Sequence, residues 1–433
     1  MVPNLKSTFR LGISKVDITP DFPVPLAGFA VRSELGPYES ISNRLYARIF
    51  AFVTSDESNR VSGESAEEKA VLISADLLWW GSDRVPSIKR RICGRFGLAE
   101  DAILLHGTHT HSGPQTSGLF TSYLGVMDLS YIEAMENRVI EAVGVAFQHI
   151  DPVRIEQGIG YSPLGINRRG VVKLTPETGP VDHELRIVRF VKEDGATKGL
   201  LVHYACHPVI TRENAVSSEY VGVALKFMER DLDEGAIAAF LQGTCGDINP
   251  GDGEQVIRGD NEVVMQIGKA FADCVIRMLE KPMSTLLTHR LQWSKTVIEL
   301  PLSSLPERDQ LESSALAPGV LGEWSSIMLE RLDSLSSSIP LEITVLTLAD
   351  GLSLIGMNAE VVVNYGLFIK RITQGSALPI AYTNGMFGYI PTAQQLSEGG
   401  YETHESTLYF AMASSFDHAV ESTVKQALLK LLT

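Results

Sequence analysis

The stretch Ala102-Ile103-Leu104-Leu105-His106-Gly107-Thr108-His109-Thr110-His111-Ser112-Gly113-Pro114 joins a buried-strand signature to a histidine-rich turn. Ala102 to Leu105 is a short apolar run that reads as a strand covered on both faces. The run ends in three of the chain's ten histidines and breaks at Ser-Gly-Pro. A strand that stops in imidazoles delivers them to the edge of a core, where metals and substrates meet a protein. His109 and His111 are two apart, so in extended backbone they share one face. Neutral imidazole is the commonest protein ligand for zinc-like metals. A loop with two surface histidines and one buried, hydrogen-bonded histidine is the other reading of the same letters.

Outward from this stretch, apolar runs alternate with helical periods. Leu45 to Val53 and Ala70 to Leu77 read as strands, and Pro86 to Phe96 and Tyr131 to Phe147 as helices. Strand signals return at Val153 to Glu156, Glu184 to Phe190, Gly199 to Ala205 and Ala236 to Leu241. Helical periods cover Tyr220 to Leu232 and Glu262 to Leu279. Leu287 to Leu300 alternates, and Leu341 to Thr347 with Leu352 to Gly356 forms a hairpin turning at Ala349-Asp350-Gly351. Helices near Glu360 to Ile372 and Leu408 to Leu432 close the chain. The alternation predicts an α/β fold with a mixed β-sheet core flanked by helices. Thr54 to Lys69 is polar and acidic, a solvated loop by composition. Ser303 to Ile339 has a helical period between Pro306 and Leu335 and reads as an insertion over the main domain. With no repeat and no convincing linker, residues 1–433 are expected to form a single domain carrying a helical insertion at about 303–339.

A net charge of −15 and a 44% apolar fraction suit a globular protein and disfavour a nucleic-acid or anionic-membrane partner. The four cysteines, Cys93, Cys206, Cys245 and Cys274, lack a CxxC pair, so neither a disulfide framework nor a cysteine zinc site is expected. No apolar run approaches a membrane span. The polar start, Met1 to Arg10, lacks the apolar segment of a signal peptide. A cytoplasmic protein acting on a small molecule is expected, without stable membrane insertion; a homo-oligomer is open.

Other segments share the strand-end pattern. Leu201-Val202-His203-Tyr204-Ala205-Cys206-His207-Pro208 delivers His207 at a strand tip. Gln242-Gly243-Thr244-Cys245-Gly246-Asp247-Ile248-Asn249-Pro250-Gly251 is a glycine-laced turn after a strand. Gly356-Met357-Asn358-Ala359-Glu360 sets a carboxylate where a strand gives way to a helix. Gly388-Tyr389 and Gly400-Tyr401-Glu402 carry tyrosines among turn residues. Taken singly, each has a bland reading: a structural histidine, a helix-start carboxylate, a packing tyrosine.

In this order the segments resemble the catalytic domain of the neutral (alkaline, non-lysosomal) ceramidases, a family of zinc amidases. Val16-Asp17-Ile18-Thr19-Pro20 with Pro25-Leu26-Ala27-Gly28 looks like that family's opening. Thr108 to Pro114 matches its most specific motif almost letter for letter. Ile166-Asn167-Arg168, Ala205-Cys206-His207, Ala359-Glu360 and the Tyr389–Tyr401 spacing continue the likeness as far as about Leu408. The resemblance implies a Zn²⁺ held by His109, His207, Glu360 and Tyr389. It implies His111 as proton shuttle or oxyanion donor, with Arg168, Tyr401 and Tyr389 stabilising developing negative charge. Asn249 and Asn167 would touch substrate, and Asp247 would brace the metal shell or a histidine.

Two departures bear on the chemistry. Family members carry a Gly-Asp-Val-Ser-Pro-Asn run whose serine has been proposed as a nucleophile; here Asn249 replaces it. Asparagine cannot form an acyl-enzyme, so cleavage is expected to use metal-activated water. The C-terminal β-sandwich and export signal of secreted ceramidases are not recognisable in the sequence, and ceramide need not be the substrate. The expected function is zinc-dependent hydrolysis of an N-acyl amide bond. An ester, lactone or sugar derivative as substrate, or a metal-binding relative without turnover, are the alternatives.

Overall fold

The structure, a computed structural model, describes residues 9–55, 67–172 and 179–433. Eight strands form the spine of a nine-stranded mixed sheet: β1 (Phe9–Asp17), β2 (Tyr46–Ser55), β3 (Glu67–Ala75), β4 (Ile103–Gly107), β5 (Ile150–Tyr161), β6 (Glu184–Lys192), β7 (Thr197–Tyr204) and β8 (Ile237–Gln242). Their order is β8-β7-β6-β5-β1-β2-β3-β4, with the short strand Ser284–Leu286 added on β5. The pairs β3–β4 and β7–β8 at the two ends are parallel, and the pairs between them antiparallel. A second, four-stranded sheet has the order β9 (Gln292–Pro301), β10 (Ser338–Ala349), β11 (Leu352–Met357), β12 (Ala377–Ile380).

Helices cover the outer face of the large sheet. Helix α1 (Val85–Phe96) begins with Pro86 in its first turn and ends at Gly97 in left-handed backbone (φ 67°). Helix α2 (Leu129–Gln148) is capped by Asp128, which accepts the Tyr131 N–H, and buries Ile132, Met135, Val139 and Val143 at helical spacing. These side chains pack with Ile49, Ala51, Ile73 and Leu105. Gly12 permits this approach, because a Cβ there would fall 1.9 Å from the Ala146 carbonyl oxygen. Helices α3 (Glu219–Asp231) and α4 (Asn261–Leu279) cover the other half, with Tyr220, Val221, Phe271 and Val275 against Leu200, Val202 and Phe240. On the inner face, Phe9, Phe50, Phe52, Phe190 and Leu201 share one apolar cluster with Leu346, Leu354 and Ile380 of the second sheet.

The large sheet curls until its two ends meet. Ser74 Oγ on β3 donates to the Phe240 carbonyl on β8 (2.7 Å), and the Gln242 N–H donates to His106 Nε2 (2.8 Å). The chain leaving β12 lies along this seam: Ala381 N–H donates to the Gln242 carbonyl and Gly107 N–H to the Tyr382 carbonyl. The tips of β4 and β8, at opposite ends of the strand order, therefore converge on Ala381 to Asn384.

The expected strands and helices are present within a few residues, and the α/β mixed architecture holds. Three expectations change. Phe9 and Arg10, taken as part of a polar terminus, open β1; the rest of that terminus lies outside the described residues. Most of the Thr54 to Lys69 loop also lies outside them, while its flanks, Thr54–Ser55 and Glu67–Lys69, belong to paired strands. The closing helix is not continuous from Leu408. A short helix Ser406–Tyr409 stops before Ala411 (φ 48°), and a loop follows in which Ser303 N–H donates to the Ser415 carbonyl and Asp417 N–H to the Pro301 carbonyl. Those bonds tie the chain to the end of β9, and the final helix, Val420–Leu432, starts afresh. The 303–339 segment joins the paired strands β9 and β10 and forms two helices, Arg308–Ser314 and Val320–Arg331.

Candidate metal centre and active site

His109, His111 and His207 each bring a ring nitrogen within 4.8 Å of the others. His109 Nε2 is 3.1 Å from His111 Nε2 and 3.3 Å from Glu360 Oε1, which is 2.8 Å from His207 Nε2. His109, His207 and Glu360 are almost entirely buried, whereas His111 is half-buried. The two motif histidines do converge, but not through the pleat of a strand. β4 ends at Gly107, and His109 is in left-handed backbone (φ 69°). This kink sets the rings edge to face, 4.7 Å apart. His109 and His111 therefore do not share a face by the strand alternation that their spacing predicts.

The donor set fits a divalent metal. Each histidine's Nδ1 faces a main-chain carbonyl: Leu78 for His109 (2.8 Å), Gly28 for His111 (3.0 Å) and Ile248 for His207 (3.0 Å). A carbonyl only accepts, so Nδ1 carries the proton and each Nε2 turns a bare lone pair inward. Three lone pairs and a carboxylate then face one another, an arrangement a bound cation satisfies. Burial pushes the His109 pKa down, which keeps its imidazole neutral. Burial, then the neighbouring His109 and His207, pushes His111 well below the ordinary histidine value. Neutral imidazoles beside an ionised carboxylate are the ligand states zinc requires.

The loops around the cluster are closely fitted. A Cβ on Gly28 (φ 98°) would lie 2.7 Å from His111 Nδ1, so glycine leaves room for that ring. Arg32 is buried and donates to the carbonyls of His111, Ala27 (3.3 Å) and Glu213 (2.7 Å) and to Ser112 Oγ (3.0 Å). Asp76 accepts from Arg48, from the Tyr46 N–H and from the Thr108 hydroxyl, tying two strands to the residue before His109.

Glu360 lies on a two-residue strand, Glu360–Val361, paired in parallel with Tyr389–Ile390, so it precedes the following helix (Val363–Ile372) rather than opening it. This pairing sets Tyr389 beside Glu360. Arg168 Nη2 donates to the Tyr389 hydroxyl (3.1 Å), and Nη1 reaches Asn249 Oδ1 (3.4 Å). The Arg168 guanidinium also lies 5.9 Å from the Tyr401 ring, which is 5.7 Å from the Tyr389 ring. Burial opposes its charge, but facing Tyr389, Glu402 and Glu360 raise its pKa well above the ordinary arginine value. Burial, then the Glu360 charge, pushes the Tyr389 phenol well up.

Asn167 is engaged within the protein. Its Nδ2 donates to the Pro180 carbonyl and to Asp247, and its Oδ1 accepts the Arg169 N–H. Asp247 accepts from the Val363 N–H, Asn167 and Gln395, and its carbonyl accepts the Arg168 N–H. Both residues brace the Arg168 turn, and neither is hydrogen-bonded to the histidines. His106 is buried between the Ala381 carbonyl and the Gln242 N–H, and burial pushes its pKa down to about 3, a structural imidazole. Cys206 and Cys245 are buried free thiols, and burial pushes Cys245 up to about 12.

Two site residues carried no role in the sequence. Glu402, next to Tyr401 on a π-helical turn (Tyr401–Glu405), bridges Arg168 Nε (2.7 Å) and Arg169 Nη1 (2.7 Å). An Arg-Arg pair implies a carboxylate partner, and that was the available signal. Tyr382 stacks on His109, and nothing in its local sequence points there.

Comparison with known proteins places the chain in a family. The model of the neutral/alkaline non-lysosomal ceramidase family, N-terminal, matches residues 9–262. Neutral ceramidase B of Dictyostelium discoideum is 24% identical over 266 residues, covering 56% of this chain and 36% of that protein. The neutral ceramidase of Pseudomonas aeruginosa is 22% identical over 257 residues, covering 56% and 37%. The aligned part thus spans little more than a third of those relatives' length. The crystal structure of neutral ceramidase from Pseudomonas aeruginosa superposes with a TM-score of 0.76 at 17% identity, over 98% of this chain and 74% of that one. A ceramidase complexed with C2 gives 0.75 at 19% identity, over 98% and 74%. The family match covers more than half of the chain, and the fold is shared over nearly all of it: the protein belongs to the neutral/alkaline non-lysosomal ceramidase family.

Proposed function

We propose that this protein is a zinc-dependent hydrolase that cleaves an N-acyl amide bond with water as nucleophile, on a substrate not restricted to ceramide. One observation carries the reading: three Nε2 lone pairs, fixed by Nδ1–carbonyl bonds, face a buried carboxylate. His109, His207 and Glu360 would hold the metal, with Tyr389 completing the set and His111 Nε2 left free. A zinc ion bound there supplies Lewis acidity, which activates water and polarises a carbonyl.

The chain's own groups do the rest. Arg168, fixed by Glu402, and the hydroxyls of Tyr389 and Tyr401 stabilise negative charge that develops on the carbonyl oxygen. His111 has an unprotonated Nε2 near the reacting centre; it takes a proton from the attacking water there and hands it to the departing amine. The carbonyl carbon gains the water oxygen, the C–N bond breaks, and acid and amine leave. The Asn249 side-chain oxygen faces Arg168 and offers no nucleophile. Trp79, Phe120 and Phe410 form an edge-to-face aromatic cluster, with Trp79 6.2 Å from the His109 ring and Phe410 5.9 Å from the Tyr389 ring. This apolar wall suits an acyl group and keeps bulk water away. Among the described residues no helix is long and apolar enough to cross a membrane, which is compatible with a small-molecule substrate taken from solution.

The test is metal content together with turnover of a panel of N-acyl amines and matched esters, before and after chelation. Stoichiometric zinc with chelator-sensitive amide cleavage supports the reading. Protein without bound transition metal, or with metal and no hydrolysis of any amide, overturns it.

A further inference from the structure

Beside the half-buried His111 lies a group of cations that the mechanism does not use. The Phe29 ring is 5.0 Å from the His111 ring and carries two guanidiniums, Arg32 at 4.9 Å and Arg212 at 5.4 Å. Arg32 is consumed by main-chain carbonyls, but Arg212 has no hydrogen bond and no carboxylate within 4.0 Å among the described residues. Arg258 is the second free cation. The segment after Asn249 folds back, with Ile257 N–H donating to the Pro250 carbonyl and Gly259 N–H to the Ile210 carbonyl. This places Arg258 against the chain that follows His207, where its Nη1 donates to the Val209 carbonyl (3.3 Å). It too has no carboxylate partner among the described residues. Both residues are exposed, whereas His109, His207 and Glu360 are buried.

Three nearby carboxylates are engaged elsewhere. Glu219 is buried and accepts the Thr211 and Tyr220 N–H groups. Asp252 accepts the N–H groups of Glu254 and Gln255, and Glu402 is taken by Arg168 and Arg169. In a chain of net charge −15, two unpaired arginines beside a catalytic cluster stand against the overall field. Partial burial, then the like charges of Arg212 and Arg168, lowers the Arg258 pKa, so these guanidiniums repel one another. An anion between them relieves that repulsion and satisfies planar donor forks that match a carboxylate.

We propose that Arg212 and Arg258 form a receptor for a carboxylate on the substrate, so that the enzyme acts on acidic amides such as N-acyl amino acids in preference to neutral N-acyl amines. The inference rests on the hydrolase reading for its substrate class, but the anion site itself does not depend on turnover.

The probes are N-octanoylglycine and its uncharged counterpart N-octanoylethanolamine. Calorimetric titration of zinc-loaded protein is expected to show tighter binding of the acid by about tenfold or more, the scale of one charge-assisted contact. Arg212→Gln and Arg258→Gln should each reduce that preference about threefold, and the double variant should abolish it. Circular dichroism and zinc content establish that the variants are folded and loaded; Arg212→Lys and Arg258→Lys, which keep the charge, provide a second pair. Equal binding of the two probes by the wild type, or an unchanged preference in both Gln variants, overturns the proposal. If the acid binds selectively through both arginines but neither probe is hydrolysed, the hydrolase reading fails and the anion receptor stands. If both probes are hydrolysed with no dependence on either arginine, the receptor fails and the hydrolase stands.

Discussion

The Tyr382 ring lies flat on the His109 imidazole, with centroids 3.7 Å and planes 17° apart, and both residues have positive φ (53° and 69°). Two left-handed residues from strand ends remote in sequence are thus locked together. Tyr382 also turns its hydroxyl to Cys245 Sγ (3.3 Å). The stack fixes the plane of His109, and with it the direction of its Nε2 lone pair. Tyr382→Ala is expected to weaken zinc affinity by about 10–100-fold, the scale of lost support for a metal-ligating histidine. Tyr382→Phe keeps the stack and should retain affinity within a few-fold, as read by competition with a chromogenic chelator.

Replacing His109 or His207 by alanine should abolish stoichiometric zinc. Chelation should lower the melting temperature of the wild type, because it leaves facing acceptors without a cation. Glu360→Gln makes the distinguishing case. Its amide can donate to a histidine Nε2, so the metal-free variant should melt no lower than the metal-free wild type while still failing to bind zinc. Scanning calorimetry with and without chelator checks both statements.

Arg168→Gln is expected to lower kcat for an amide substrate by about 10²–10³-fold, as for loss of an oxyanion donor. Zinc should remain bound. Glu402→Gln removes the carboxylate that aims Arg168, and should give a smaller loss of kcat together with reduced stability, since Arg169 would lose a buried partner as well.

The Arg48–Asp76 pair is 2.9 Å long with side chains 1% and 0% exposed. Asp76→Ala would leave a buried guanidinium with Glu229 Oε1, 3.7 Å from its Nε, as the remaining charge. The cost should be about 3–5 kcal/mol in urea unfolding. Because Asp76 also holds Thr108, zinc affinity should fall in the same variant.

Burial raises the Glu219 carboxyl to about 7, against the opposing N–H groups of Thr211 and Tyr220 and the Arg32 charge. A carboxyl raised above its unfolded value stabilises the fold fully below about pH 4.5, and that contribution is lost as pH rises through about 7. The group should remove on the order of 3 kcal/mol between those limits. In Glu219→Gln the fall in unfolding free energy between pH 4.5 and 7 should be smaller than in the wild type by that amount; an identical fall would disprove the assignment.

Much of the fold was legible because its strands are buried on both faces. Continuous apolar runs such as Ile49 to Val53 and Ala70 to Ile73 need no knowledge of their neighbours to be read. β1 escaped because Arg10, Ser14 and Lys15 interrupt its apolar letters, although Ser14 is buried with its hydroxyl on the Ala142 carbonyl. For the site, His109, His207 and Glu360 were legible as strand-end residues in a family-like order, and the geometry unites them. What the letters do not carry is the means of union. The left-handed turn at His109 contradicts the alternation its neighbours suggest, and Tyr382, Arg32 and Glu402 act through contacts between segments far apart in sequence. Asn167 illustrates the converse: a motif residue whose side chain is spent on holding a turn.

The curl that joins β4 to β8 along Ala381 to Asn384 also sets an order of events for the nascent chain. The first histidines of the cluster are synthesised early, but Glu360 and the stacking Tyr382 arrive only after most of the polypeptide has been made. Local helix and hairpin formation can proceed before then, whereas the seam depends on contacts of very high sequence separation, which form slowly. A partial chain therefore has imidazoles without their carboxylate and sheet edges without their closing segment. Such a chain can capture metal in wrong geometries and expose unpaired backbone to other chains. A metal held by this site would therefore enter its correct geometry only late in maturation.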